Sequence, residues 1–403
     1  MSPLIRYNKL HSKPAATVIT LFILLLLNAC QTQNNSPTTS APPAPVLRST
    51  VAVAFAPDGR LWRLTPTPDA VYVDYSDDNG QTFSPPQQVN PAAQKISVWP
   101  ENPPAIAITR SGRIHVLYYA DAAQKSTSFY SYSDDGGNTF SPPKLISDHA
   151  DSAMHYMDKM LLDNEDKVYL FWHDRRHELL DQQLGSGVLS LYYAISDSQH
   201  PDFYNRFISN AVCSCCRTAT ALAPNNKPVL MVRMVFPDGV REHALMRMDK
   251  TGKWSKPIRV TGDHWTIEAC PEHGPALAID DRGRVHMTWF TLGDIRQGIY
   301  YAQTDDFGAK VSAPMKLGER ERLPGHPDVL TLKNRVILTW KEFDGKQTTI
   351  QIKESADRGA SWSDARTVFS TNGENGHPSL ISNGQDIFLS WVSSEQGHQI
   401  IKL

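Results

Sequence analysis

The spacing of a repeated unit constrains this 403-residue chain more than any other feature. Trp289, Trp340 and Trp391 stand at constant intervals of 51 residues. Each closes the second of two short apolar runs, and a third β-prone run follows. Gly59-Arg60, Gly112-Arg113 and Gly283-Arg284 mark the turn between the first two runs, with Asn334-Arg335 standing in once. Thr65, Tyr118, Trp172 and Arg233 hold the tryptophan's place in earlier units. Seven such pairs begin near Val51, Pro104, Met157, Thr218, Pro275, Pro327 and Pro378. A period near 50 residues with four short strands per repeat predicts an all-β propeller of four-stranded blades, seven favoured and six the alternative. No helical apolar period links the runs, which disfavours a parallel α/β fold.

A second repeated element sits after the third run. Ser133-Asp134-Asp135-Gly136-Gly137-Asn138-Thr139-Phe140 reads as a self-closing turn, because Ser and Asp side chains bond backbone N–H groups and glycine takes backbone shapes that cost other residues more. The pattern returns at Ser76, Asp78, Gly80, Thr82 and Phe83, and in softer form at Ser355, Asp357, Gly359, Ser361 and Trp362. Worn copies lie at Ser196-Asp197, Met248 to Trp254 and Thr304 to Gly308. These turns resemble the Asp box, or bacterial neuraminidase repeat, of sialidase-like β-propellers. The resemblance implies a propeller with the boxes on its outer rim, structural and away from the binding face. It carries no activity. Sialidases have six blades, and their Arg-Ile-Pro motif is missing upstream of Ser76, with Arg322-Leu323-Pro324 a loose echo in the wrong repeat.

The first 29 residues read as a lipoprotein signal peptide. Arg6, Lys9 and Lys13 precede an apolar run from Ala15 to Leu27, too short to span a bilayer comfortably, and Leu27-Asn28-Ala29-Cys30 resembles a lipobox with Cys30 as the lipidated residue. Residues 30–45 then form a polar, Pro-rich tether, and residues 46–403 the propeller. Val46 to Ser49 would supply the outer strand that the last repeat lacks. The expected location is the bacterial cell envelope, lipid-anchored, with Gln31 after the cysteine favouring the outer membrane; the lipid makes the membrane one partner. Removing the signal moves the formal net charge from −2 to −5, and no basic stripe marks the chain as a nucleic-acid binder.

Chemistry is expected where the repeats converge. The segments leading into the first strands carry Glu101-Asn102, then His155 and Asp158, then Cys213-Ser214-Cys215-Cys216-Arg217, then Cys270 and His273, then His326, then His377. Five consecutive repeats thus bring His or Cys to one channel mouth. Two readings of the cysteines stay open. In an oxidising envelope disulfides are the default, and a link from the Cys213–Cys216 cluster to Cys270 would contribute about 4 kcal/mol by chain entropy. Alternatively Cys213, Cys215, Cys216, Cys270 and His273 form a soft-metal site, whose thiolate and imidazole donors suit Cu(I) or Zn(II). A further loop, His173-Asp174-Arg175-Arg176-His177-Glu178, reads either as a solvated loop with internal ion pairs or as part of a ligand site. In the second case Arg175, Arg176 and Arg217 grip a sugar carboxylate or sulfate, and His173 or Asp174 acts as acid or base. Three functions follow: a surface lipoprotein binding a ligand or soft metal without turnover; a glycoside hydrolase or polysaccharide lyase acting on an acidic glycan; and a scaffold for an envelope protein partner.

Overall fold

In the computed structural model the described residues are 50–403, apart from 123–124, 149–154, 178–180, 186, 197–202 and 267–271. Cys30, the tether, Val46 to Ser49, Glu178 and Cys270 lie outside them, as does the side chain of His155. Among the described residues the structure is all-β and antiparallel, with two 3-10 turns at Gln182–Leu184 and Arg320–Arg322.

The strands form successive small sheets. The first comprises Ala52–Phe55, Leu61–Pro66, Val71–Ser76 and Gln87–Gln88. In the second, Ala105–Ile108 and Lys95–Ile96 both pair with Ile114–Ala122, which is followed by Lys125–Ser133 and Lys144–Leu145. The third (His155–Leu162, Val168–Asp174, Val188–Ser196, Arg206–Cys213) and fourth (Ala219–Leu222, Pro228–Val235, Arg241–Arg247, Ile258–Arg259) are joined through the pairing of Val212 with Met234. The fifth begins at Ala276–Ile279, the sixth at Gly325–Leu332 and the seventh at Ser379–Ser382. These first strands start within two residues of the positions read from the repeat.

Each sheet is too small to bury its own apolar faces, so the core lies between sheets. Every large cluster draws on two neighbours: Leu64 with Val116, Leu117 with Trp172, Phe171 with Leu230, Val229 with Trp289, Ile299 with Trp340, and Ile337 with Trp391. Phe55 of the first sheet in turn meets Phe388 of the last, ring centroids 5.2 Å apart. The first strands touch in chain order, and Ser379–Ser382 returns to touch Ala52–Phe55.

The turns after the third strands clamp this arrangement from outside. Ser133 Oγ donates to Asp135 Oδ1 (2.8 Å) and accepts from Gly137 N–H (2.9 Å), while Asp135 accepts from Thr139 N–H (2.9 Å) and Oγ1 (2.6 Å). The turns at Ser76, Asp78, Gly80 and at Ser355, Asp357, Gly359 repeat these bonds. Those hydroxyl and N–H donors hold the Asp135 and Asp357 carboxyls down at about 2, Thr139 and Ser361 contributing most. Each box presses on the preceding sheet. A Cβ on Gly137 would lie 2.9 Å from Trp62, and one on Gly359 2.5 Å from the Tyr301 hydroxyl. Gly80 of the first sheet meets Ile400 of the last in the same way, at 2.7 Å.

Candidate functional site at the channel mouth

Three of the buried tryptophans are clasped by acids. Trp172 Nε1 donates to Asp174, Trp289 Nε1 to Asp263 and Trp340 Nε1 to Glu342, at 2.8, 2.8 and 2.9 Å. An arginine closes each clasp: Arg176 on Asp174, Arg296 on Asp263, Arg322 on Glu342. This repetition explains the loop after Trp172. Arg176 also bonds Asp148 and Asn205 and stacks over Tyr192. Asp174 is fully buried, and its oxygens accept from Trp172 and from Arg176. His173 is buried as well, its ring on Ser214 O (3.4 Å) and Thr218 Oγ1 (3.1 Å). Burial holds that imidazole down at about 4. Arg175 is half-buried in the same loop. Of the two readings of this loop, the internal ion pairs are what the geometry contains.

A different group meets at the mouth, built from the segments leading into the first strands. His273, His326 and His377 come from three consecutive sheets and stack as a column. The ring centroids are 4.1 Å apart for the first pair and 3.5 Å for the second, and Phe290 caps the far end at 4.1 Å. His377 Nε2 stands 3.5 Å from Glu101 Oε2 at the near end. Glu101 is buried and accepts from Arg217 Nη1 (2.9 Å), Arg217 N–H (3.3 Å) and Gly274 N–H (2.5 Å).

Local backbone features make this packing possible. His326 adopts a left-handed conformation (φ 52°) at a bulge between Gly325 and Asp328, and Met157 does the same (φ 60°) at the bulge between Tyr156 and Lys159. Bulges of this kind re-aim a side chain that a regular strand would point elsewhere. Glycines provide the close approaches: a Cβ on Gly325 would lie 2.6 Å from the His273 ring, and one on Gly274 would overlap Arg217 Cγ.

Below the column a cavity of about 350 Å³ runs between first strands, lined by Asp158, Lys159, Arg217, Asp328 and His377 among apolar neighbours. Asp158 accepts from Ser128 Oγ, and its N–H donates to Asn102 Oδ1 (3.0 Å). Asp328 accepts from the N–H groups of Val329 and Leu380, and burial pushes its carboxyl up. A side pocket of about 220 Å³ holds His273, His326 and Lys341. Lys341 Nζ reaches Asn375 Oδ1 and Gly376 O, each at 3.4 Å. Burial lowers both Lys159 and Lys341 to about 8, and it keeps the imidazoles neutral, His273 at about 4 and His326 and His377 well below their ordinary value.

Three cysteines form a group of their own, next in sequence to Arg217. Cys213, Cys215 and Cys216 are buried free thiols with sulfurs within 4.8 Å of one another, whereas His273 belongs to the histidine column. The expected company of His273 with these sulfurs is therefore replaced by its stacking on His326. Glu101, His326 and His377 form a second set of donors within 4.8 Å. His155 opens its strand with Asp174 as Cα partner.

Sequence reading placed Glu101 among the converging segments without a role, and did not single out Lys159, Asp328 or Lys341. A signal for Lys341 was present: it directly follows Trp340 in the repeat register, the place that Phe290 holds after Trp289. Lys159 and Asp328 become visible only once the bulges are known.

No protein-family model matches the chain, and no curated protein matches it. Solved structures do. A lectin from Burkholderia pseudomallei superposes with TM-score 0.64 at 12% identity, covering 89% of this chain and 96% of the lectin. An ulvan lyase bound to -[GlcA(1-4)Rha3S]- gives 0.56 at 12% identity, covering 87% and 90%. A Hadza microbial sialidase gives 0.52 at 15% identity, covering 86% of this chain and 73% of the enzyme. The class these likenesses define is the β-propeller. Within that class the neighbours named here are glycan-directed proteins.

Proposed function

We propose that this protein is a seven-bladed propeller that acts on an acidic glycan at the mouth of its central channel. One observation carries the reading: Lys159 and Arg217 line a cavity beside His377, and Lys341, from a third sheet, lines a second pocket beside His273 and His326, with the stacked imidazoles between them. The acids nearby offset part of this charge, with Glu101 paired to Arg217 and Asp158 lining the same cavity as Lys159. Glu101 is spent on Arg217 and Gly274, and Asp328 is pushed toward its neutral form. Those three cations also make Glu101, His326 and His377 a poor nest for a bare divalent ion, despite suitable donors. An anionic ligand is favoured instead, and Arg217 suits a carboxylate or sulfate. The circle of first-strand contacts supports the blade count.

β-Elimination on a uronate fits these groups best. Arg217 would pair with the uronate carboxylate and acidify the proton beside it. Lys341 or Lys159, in the neutral form each reaches near pH 8, would take that C5 proton while the C4–O glycosidic bond breaks and the C4=C5 double bond forms, and the resulting ammonium would give the proton to the leaving oxygen. The neighbouring ulvan lyase and sialidase folds support the glycan-active reading over binding without turnover. A second reading, hydrolysis, is favoured by Asp158 and raised Asp328 lining one cavity. Lipid attachment through Cys30 would hold the enzyme in the envelope, beside surface polysaccharide. Incubation with uronate-containing, sulfated and sialylated polysaccharides tests all of this. Ultraviolet absorbance from unsaturated uronate marks elimination, and new reducing ends without it mark hydrolysis. Neither turnover nor binding of any acidic glycan would sink the proposal.

A further inference from the structure

The fourth sheet breaks the repeat in a chemically pointed way. Where neighbouring sheets place a buried tryptophan, it places Arg233, which is 1% exposed and stacks over Trp265 at 3.8 Å. The pairings of Val212 with Met234 and of Arg233 with His243 set Cys213, Arg233 and His243 in one row across three strands. Arg233 Nη1 donates to Cys213 Sγ at 3.2 Å, and Arg241 Nη1 to the same sulfur at 3.5 Å. Cys215 Sγ lies 3.6 Å from Cys213 Sγ, and Cys216 completes the trio. Among the described residues Arg233 Nε and Nη2 and His243 Nε2 are buried without a hydrogen-bond partner. A cation in place of a core tryptophan costs several kcal/mol unless negative charge faces it. The groups facing it include the Trp265 ring and the Cys213 sulfur, and of these the sulfur, as thiolate, can carry negative charge.

We infer that Cys213, Cys215 and Cys216 form a three-coordinate site for Cu(I), with Arg233 and Arg241 balancing its charge. Geometry and charge both select this ion. With metal–sulfur bonds of about 2.3 Å, three thiolates in a trigonal plane stand roughly 4 Å apart, close to the spacing here. Three thiolates beside two guanidiniums that donate to Cys213 Sγ favour a soft cation of low charge. Zn(II) would add a second positive charge beside those guanidiniums and would want a fourth donor. Binding releases protons from the thiols and involves no change of oxidation state. The site shares no side chain with the histidine column, and although Cys216 adjoins Arg217, Cu(I) binding is read without any glycan, so failure of one reading is distinguishable from failure of the other.

The test uses the full exported chain, reduced and anaerobic, titrated with Cu(I) against a colorimetric Cu(I) chelator. One Cu(I) per chain is expected, with X-ray absorption showing three sulfur ligands and with the three cysteines protected from alkylation. Cys215→Ser should abolish tight binding. Arg233→Met keeps all three thiols and replaces a buried charge by an apolar side chain, so the fold should persist while affinity falls about 10- to 100-fold. Should Cys215→Ser fail to fold, thiol protection in the unmodified chain still decides. Preference for Zn(II), copper binding without cysteine protection, or a Cys213–Cys215 disulfide in protein taken directly from the envelope would each overturn the assignment.

Discussion

Replacing Gly274 by alanine discriminates sharply between a built channel mouth and an accidental one. Gly274 has no left-handed backbone to protect, so a methyl group there would ordinarily stabilise the chain by ~0.4–1 kcal/mol through the unfolded state. Here the methyl would overlap Arg217 Cγ and stand 2.8 Å from Glu101 Oε1. The overlapped atom lies near the backbone, so Arg217 has to swing away rather than flex at its tip. Overpacking of this sort costs about 1–3 kcal/mol. Displacing Arg217 also strips Glu101 of its cation, and breaking a buried pair on one side costs about 3–5 kcal/mol. Partial relaxation puts the net loss near 3 kcal/mol, about 4 °C in melting temperature for a domain of this size. Thermal unfolding followed by tryptophan fluorescence reads the shift. Gly262→Ala is the control, since a Cβ there meets nothing within 4 Å. Equal stability in the two variants, or a rise for Gly274→Ala, would refute the packing argument.

Two further predictions follow from the titrating groups. Acidic-glycan binding should weaken as pH rises through about 8, where Lys159 and Lys341 lose their charge, and Lys341→Met should flatten that profile in calorimetric titrations. The box carboxylates are depressed in the folded state, so their contribution is complete above the ordinary carboxylate range and is lost as pH falls toward about 2. Melting temperature should therefore fall less steeply between pH 4 and 2 in an Asp135→Asn, Asp357→Asn double variant than in the parent, as read by scanning calorimetry across that range.

Much of the architecture was legible because it repeats. A strand that recurs every 51 residues needs only one convincing copy, and the box turns carry their own hydrogen-bond partners within eight residues. The residues leading into the first strands were readable as a converging set for the same reason. Their pairings were not. Sequence placed His273 with the cysteines because both precede neighbouring first strands. The bulge at His326 and the small Gly325 instead let His273 stack on His326. Whether Asp174 and Arg176 meet a ligand or pair with each other stayed open in the sequence, and the Trp–acid–arginine clasp recurring in three sheets shows the pairing. That clasp joins residues up to 33 apart, and each sheet draws its arginine from a different loop position.

Local grammar alone, then, determined that the chain makes small antiparallel sheets with self-closing outer turns, since those features depend on neighbours in sequence. Tertiary structure decided which charges face one another at the axis. Glu101 and Gly274 are 173 residues apart yet share a hydrogen bond. Contacts of that span arise only when the sheets close on themselves, and a few ångströms of bulge or a missing Cβ then set which side chains can touch.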